Sequence, residues 1–194
     1  ADDIMDTSGA QCWYDNGAIK FSVWNPADMS EPIQIVCKYV ETYHYQGSPL
    51  QYKVLDANFD GYTDFAWICH SGNQPIFYYL WLWDEEQKRF VEEPAYHDIS
   101  SPVADADKEI IYGWSRSSAA SDGCSTLHKW IDGHLLCVRH IEVWREIHAD
   151  NYTMTVEDWV DGEMIEIYRA EFPSPEEFDP ERSKWLDPDY HGEQ

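Results

Sequence analysis

Asp56-Ala57-Asn58-Phe59-Asp60-Gly61-Tyr62-Thr63-Asp64 carries a short oxygen-bearing side chain at every second position, then a glycine, then one more aspartate four residues after the third donor. A hard divalent cation takes six to eight oxygen ligands at about 2.3–2.6 Å, and alternate residues of a tight loop can point inward together. The nine residues read as a calcium loop, with side-chain oxygens from Asp56, Asn58, Asp60 and Asp64 and the backbone carbonyl of Tyr62 as the ligand set. Gly61 stands where the backbone must reverse, in a conformation that a Cβ resists. Without a cation, three carboxylates held this close would repel one another.

The loop is not an EF-hand. Position twelve, where that motif carries a bidentate glutamate, is Trp67. Phe65-Ala66-Trp67-Ile68-Cys69 is apolar and aromatic and reads as a buried strand, while Leu50–Leu55 delivers the chain to the loop. The expected role of Ca2+ is structural: it ties the strand ending at Leu55 to the one starting at Phe65. The arrangement resembles the calcium loops between strands of integrin-type propeller blades.

Working outward from the loop, Ile19–Trp24 and Ile33–Tyr39 read as strands upstream. Downstream, Ile76 to Trp83 places Phe77, Tyr79, Trp81 and Trp83 on one face and Tyr78, Leu80 and Leu82 on the other, so both faces must be covered or used. Asp84–Arg89 is a charged turn and Phe90-Val91 begins the return. Two later stretches, Trp130-Ile131-Asp132-Gly133-His134-Leu135 and Trp159-Val160-Asp161-Gly162-Glu163-Met164, each carry the Asp-Gly pair of a type I′ hairpin. They pair Thr126–Ile131 with His134–Val138 and Thr153–Val160 with Glu163–Ala170, and Ile141–Ile147 adds a strand. The uneven spacing excludes a regular solenoid. The expected fold class is all-β, either an irregular small β-propeller-like fold or a sandwich of antiparallel sheets, with one strand-linking calcium loop. Residues 1–16 read as an N-terminal arm, 17–172 as a single all-β domain, and 173–194 as an acidic, proline-rich tail docked at most in part through Trp185 and Tyr190.

Thirteen basic against thirty-seven acidic residues give a formal charge of −24, which repels nucleic acid and anionic membrane surfaces. The expected partners are cations or a basic protein. No apolar run approaches the roughly 20 residues of a membrane span. No signal peptide is visible, and Ala1-Asp2-Asp3 reads either as the start of a mature chain or as a trimmed start; the expected location is exported, periplasmic or extracellular. Cys12, Cys37, Cys69, Cys124 and Cys137 lack zinc-site spacing. Bridges Cys37–Cys69 and Cys124–Cys137 are one reading, and buried reduced thiols are the other.

The phrase from Val54 to Phe65, followed by the aromatic Tyr-x-Trp-x-Trp-Asp hairpin through Asp84 to Phe90, resembles a bacterial exported calcium-loop family. That family includes the immunity protein protecting xanthomonads against their own type IV secreted peptidoglycan hydrolase. The resemblance covers residues 33–93. It implies an irregular five-bladed β-propeller, one structural calcium held by Asp56, Asn58, Asp60, Tyr62 and Asp64, and a periplasmic inhibitor of lysozyme-like enzymes. The segment nearest in character to a cleft-plugging inhibitor loop is Ser117-Ser118-Ala119-Ala120-Ser121-Asp122-Gly123, with Ser117, Ser118 and Ser121 as candidate partner contacts.

The leading functional reading is a non-enzymatic, exported, calcium-stabilised binding protein directed at a basic secreted hydrolase. A carbohydrate-binding module stacking sugars on Tyr79, Trp81 and Trp83 is one alternative, although such a stripe is more often core. A cell-wall glycan hydrolase is another. For an enzyme the residues offer little: no Gly-x-Ser-x-Gly elbow is present, and acidic residues are too numerous to single out a catalytic pair. His134 and His140 lie about 20 Å apart along one strand, too far to share a metal, so His128, His134 and His140 read as solvated strand histidines.

Overall fold

In the computed structural model, which describes residues 4–5, 10–15, 18–39, 52–71, 75–116, 122–145 and 151–192, the aromatic strands around the loop become the middle layer of the fold. Strands β1 (Ile4–Met5), β2 (Ala10–Asp15), β3 (Ala18–Val23) and β4 (Gln34–Tyr39) form one antiparallel sheet in chain order. A second sheet takes β5 (Tyr52–Leu55), β6 (Asp64–Ser71), β7 (Ile76–Asp84) and β8 (Arg89–Glu93), again in chain order. A 3₁₀ turn over Pro94–Asp98 leads to the third, built from β9 (Val103–Asp105), β10 (Ile110–Arg116), β11 (Gly123–Ile131), β12 (His134–Arg145), β13 (Tyr152–Val160) and β14 (Glu163–Phe172). Among the described residues one α-helix, α1 (Pro175–Trp185), follows β14. Across the described residues the fold is all-β, with three antiparallel sheets and none closed into a barrel. Among the described residues there are three sheets, where the resemblance implies five blades.

The alternation of β6 and β7 explains the layering. Phe65, Trp67 and Trp81 point to the first sheet, where they bury Phe21 and Val23. Phe21 lies 4.8 Å from the Phe65 ring and meets Trp81 edge-on at 5.1 Å, geometries that favour aromatic pairs. The opposite face of the middle sheet carries Ala66, Tyr78 and Leu80, packed with Tyr96, Ile99, Ile111 and Leu135 of the following segment. A strand apolar on both faces is stable only when both are covered, and here they are. Gln34 fastens the first two sheets as a substitute strand, its amide donating to Phe90 O (2.8 Å) and its carbonyl accepting from Phe90 N (2.7 Å).

Both expected hairpins form. Asp132 and Gly133 take φ of 50° and 78°, and Asp161 and Gly162 take 51° and 96°, the pair of positive angles a type I′ turn demands. β12 runs without a break from His134 to Arg145, so the strand expected separately from Ile141 is the continuation of the one that begins at His134, and β14 extends two residues past Ala170 to Phe172.

Two terminal segments depart from their reading as an arm and a tail. β2 adds to β3 over six registered pairs, Ala10↔Val23 to Asp15↔Ala18. At the other end, Pro175 occupies the first turn of α1, where its missing N–H costs nothing, followed by Glu176 and Glu177, with Arg182 and Lys184 in the last turn. This charge order suits the helix dipole. Phe178 and Trp185, seven residues apart and so on one face, are fully buried against Ile141, Val143, Met154 and Val156 of the third sheet. Arg139 secures the helix end: its guanidinium is paired with both oxygens of Asp158 (2.6 and 2.7 Å) and donates to Trp185 O and Asp187 O, each at 3.0 Å.

Candidate metal centre

The nine-residue loop joins β5 to β6, and its donors meet the backbone that they fold. Asp56 accepts from Asp60 N (Oδ1, 3.1 Å) and Gly61 N (Oδ2, 2.9 Å), and Asp60 accepts from Tyr62 N (2.8 Å) and from Asn58 Nδ2 (2.8 Å). Phe59 takes a left-handed φ of 61° and Gly61 one of 86°. The Phe59 ring packs against the second core, an anchor that helps hold an angle disfavoured for a residue with a Cβ. Tyr62 is exposed, which leaves only its backbone as a donor of interest.

Asp64 differs from the others because it is fully buried. Its Oδ2 accepts from Ala57 N (2.8 Å) and its Oδ1 from Trp83 N (2.9 Å), so one carboxyl links the loop to β7. Burial is the main cause pushing its pKa up to about 6; the two N–H donors oppose the rise, and the charges of Asp60 and Asp56 add to it. A buried carboxylate near two others, with no cation beside it, is costly to ionise. The third sheet reaches the same loop through Trp130, whose Nε1 donates to Ala57 O at 2.8 Å.

The donor chemistry fits a hard cation, with four oxygen-bearing side chains and no nitrogen or sulfur ligand. As the side chains stand, no three of His, Cys, Asp and Glu among the described residues converge closely enough to hold a metal. The carboxylates instead cap the loop's own N–H groups.

The remaining sequence candidates fare differently. Ser117, Ser118 and Ser121 lie outside the described residues. The Tyr79, Trp81, Trp83 ladder belongs to the core, with Trp81 only 3% exposed. Tyr79 is stacked on His97 at 4.9 Å, and Trp83 meets Phe90 edge-on at 5.2 Å. Trp81 therefore offers no face to a sugar, while Tyr79 and Trp83, half-buried, pack against the same core. Neither the Cys37–Cys69 nor the Cys124–Cys137 bridge is formed.

The histidines are not uniformly solvated either. His134 is exposed in its turn, but His128 is largely buried and bonded to Thr126 Oγ1 (3.0 Å). Burial, and then the charge of His140, push its pKa down to about 4. His140 bonds to the Cys124 thiol and faces Glu157, Nδ1 to Oε2, at 3.6 Å. Sequence reasoning missed this pairing because it depends on a bulge. Ile131↔His134 to His128↔Cys137 follow the register of the tight turn, after which one extra residue of β12 shifts the pairing to Leu127↔Arg139 and Thr126↔His140. That shift turns His140 onto the face of Cys124.

No protein-family model matches the chain, and no curated protein matches it. Among solved structures it is similar to one described as "Structure of a Xanthomonas Type IV Secretion System related protein". The TM-score is 0.56 and the identity 16%, over 86% of this chain and 85% of that one. At this identity the likeness concerns the fold, and it extends well beyond the segment around the loop. Among the described residues no helix is long and apolar enough to cross a membrane.

Proposed function

We propose that this chain is an exported β protein that acts by binding, stapled by one structural Ca2+ in the Asp56–Asp64 loop, and that its target is a basic peptidoglycan hydrolase of the lysozyme type. The observation that carries this reading is the loop itself. Asp56, Asn58, Asp60 and Asp64 are gathered within nine residues, and Asp64 is fully buried at the junction of the loop with β7. A divalent cation there offsets the repulsion among three carboxylates, and its binding energy adds to folding because the unfolded chain has no cage. At a free concentration one hundred times its Kd, a ligand contributes about 2.7 kcal/mol.

The partner is argued from charge. A net −24 raises the encounter rate with a cationic enzyme and makes the complex sensitive to salt. The likeness of fold to a type IV secretion system related protein is compatible with a role connected with such a system. The test is to titrate a panel of basic muramidases with the purified protein. Slowing of at least one at equimolar ratio, relieved as salt screens the attraction, is expected; full activity across the panel at tenfold excess overturns the inhibitor reading.

A further inference from the structure

On the face of the third sheet opposite α1, three adjacent strands bring a thiol, an imidazole and a carboxylate together. Cys124 on β11, His140 on β12 and Glu157 on β13 share that face because Thr126 pairs with His140 and His140 with Glu157. We propose that Cys124, His140 and Glu157 form an activated-thiol site that exchanges with small disulfides, His140 acting as the proton acceptor of the thiol and Glu157 as the residue that positions the ring.

The geometry supports each role. The thiol is bonded to the His140 ring and lies 3.1 Å from Ser115 Oγ on β10. Gly123 permits that approach, since a Cβ on it would sit 2.1 Å from Ser115 O. His140 Nδ1 faces Glu157 Oε2 at 3.6 Å, the nucleophile, base and orienting group of an activated cysteine. Solvent reaches the cluster: the His140 side chain is 30% exposed and that of Glu157 40%. The hydrogen bond from His140 holds the thiol pKa below its ordinary value against the opposing effect of burial, Ser115 adds to the lowering, and the charge of Glu142 works against it. The ring is correspondingly raised, first by its bond to Cys124 and against burial, then by the charges of Cys124, Glu142 and Glu157. His128 and Cys137 stand further along the same face; the first is held neutral and the second has its thiol pushed up to about 11 by burial, so neither competes as the nucleophile.

In the reaction, the Cys124 thiolate attacks one sulfur of a small disulfide RSSR. The Sγ–S bond forms as the S–S bond breaks, and the departing thiolate takes the proton held on His140. The products are a mixed disulfide on Cys124 and one free thiol, so Cys124 is oxidised and half of the small disulfide is reduced. The thiolate, not the thiol, is the reactive form. Each unit by which the thiol pKa falls gives roughly tenfold more thiolate at acidic pH, against about a threefold loss of nucleophilicity, a net gain of about threefold.

The experiment uses the intact protein and oxidised glutathione, with each cysteine's modification followed by peptide mass spectrometry across pH 6–9. Cys124 should react faster than the exposed Cys37 near pH 6.5, by about threefold for each unit that its pH midpoint lies below the ordinary thiol value of about 8.5. H140Q should slow Cys124 by about the same factor and raise its midpoint, and E157Q should move the midpoint the same way by less, while Cys37 is unchanged in both. The proposal is overturned if Cys124 reacts no faster than Cys37, or if H140Q leaves its pH profile in place. Should H140Q fail to fold, the wild-type midpoint decides: one at or above about 8.5 also overturns it.

Discussion

Replacing Arg139 by methionine isolates what holds the C-terminal helix to the sheet. The Arg139 side chain is 4% exposed and that of its partner Asp158 15%, so the pair is screened little by solvent. The substitution keeps most of the aliphatic volume but removes both bonds to Asp158 and both bonds to the carbonyls of Trp185 and Asp187. Removing one partner of a buried ion pair costs about 3–5 kcal/mol, chiefly because the other charge is left uncompensated. In a chain of this size each kcal/mol moves Tm by about 2–4 °C, so R139M should melt roughly 6–20 °C lower. In the double variant R139M/D158L the stranded carboxylate is gone, and a large part of the loss should return. The assay is calorimetric or circular-dichroism melting of the four members of the cycle, with limited proteolysis to follow release of the Pro175–Trp185 segment. A fall in Tm of less than about 2 °C in R139M, or a double variant less stable than the single one, would refute the reasoning.

Three further perturbations address other parts of the structure. His128 has its pKa lowered to about 4 from an ordinary 6.5, so the unfolded chain binds its proton more readily than the folded one. Its contribution is complete above pH 6.5 and lost as pH falls towards 4, about 3 kcal/mol in all, and H128Q should melt with a shallower dependence over that window; equal slopes for the two proteins would contradict this. W130F removes the bond from Trp130 Nε1 to Ala57 O, leaves a carbonyl of the Asp56–Asp64 loop short of a partner, and should cost about 1–3 kcal/mol by denaturant unfolding; an unchanged midpoint argues against that link. G133A meets no neighbour within 4 Å but must adopt φ +78°, so it should lose about 1–2 kcal/mol from backbone strain alone, whereas the midpoint in urea would not move if the turn were free to change type.

What the sequence disclosed depended on how local the signal was. The Asp132-Gly133 and Asp161-Gly162 turns were legible because two adjacent positive φ angles select few residues. The two-sided character of Ile76–Trp83 announced a layer covered on both faces, and the structure supplies Phe21 on one side and Ile111 with Leu135 on the other. The helix was hidden by its acidic composition and by Pro180 within it, although Ser174-Pro175-Glu176-Glu177 holds a helix-start signal, a serine before a first-turn proline with acids behind it. Long-range register was not legible at all. The single added residue that turns His140 towards Cys124 leaves no mark on hydrophobic periodicity, so three histidines that look alike in sequence acquire three environments. The acidic clustering of the Asp56–Asp64 loop was legible from spacing, but the burial of Asp64 and its bond to Trp83 N needed the third dimension.

The measurement that bears most directly on the central claim is a calorimetric titration of chelator-stripped protein with calcium chloride, paired with thermal melts in chelator and in calcium. Saturable binding at one site per chain and a higher Tm with calcium are expected, both abolished in D60A. Absence of binding heat together with superimposable melts would contradict it.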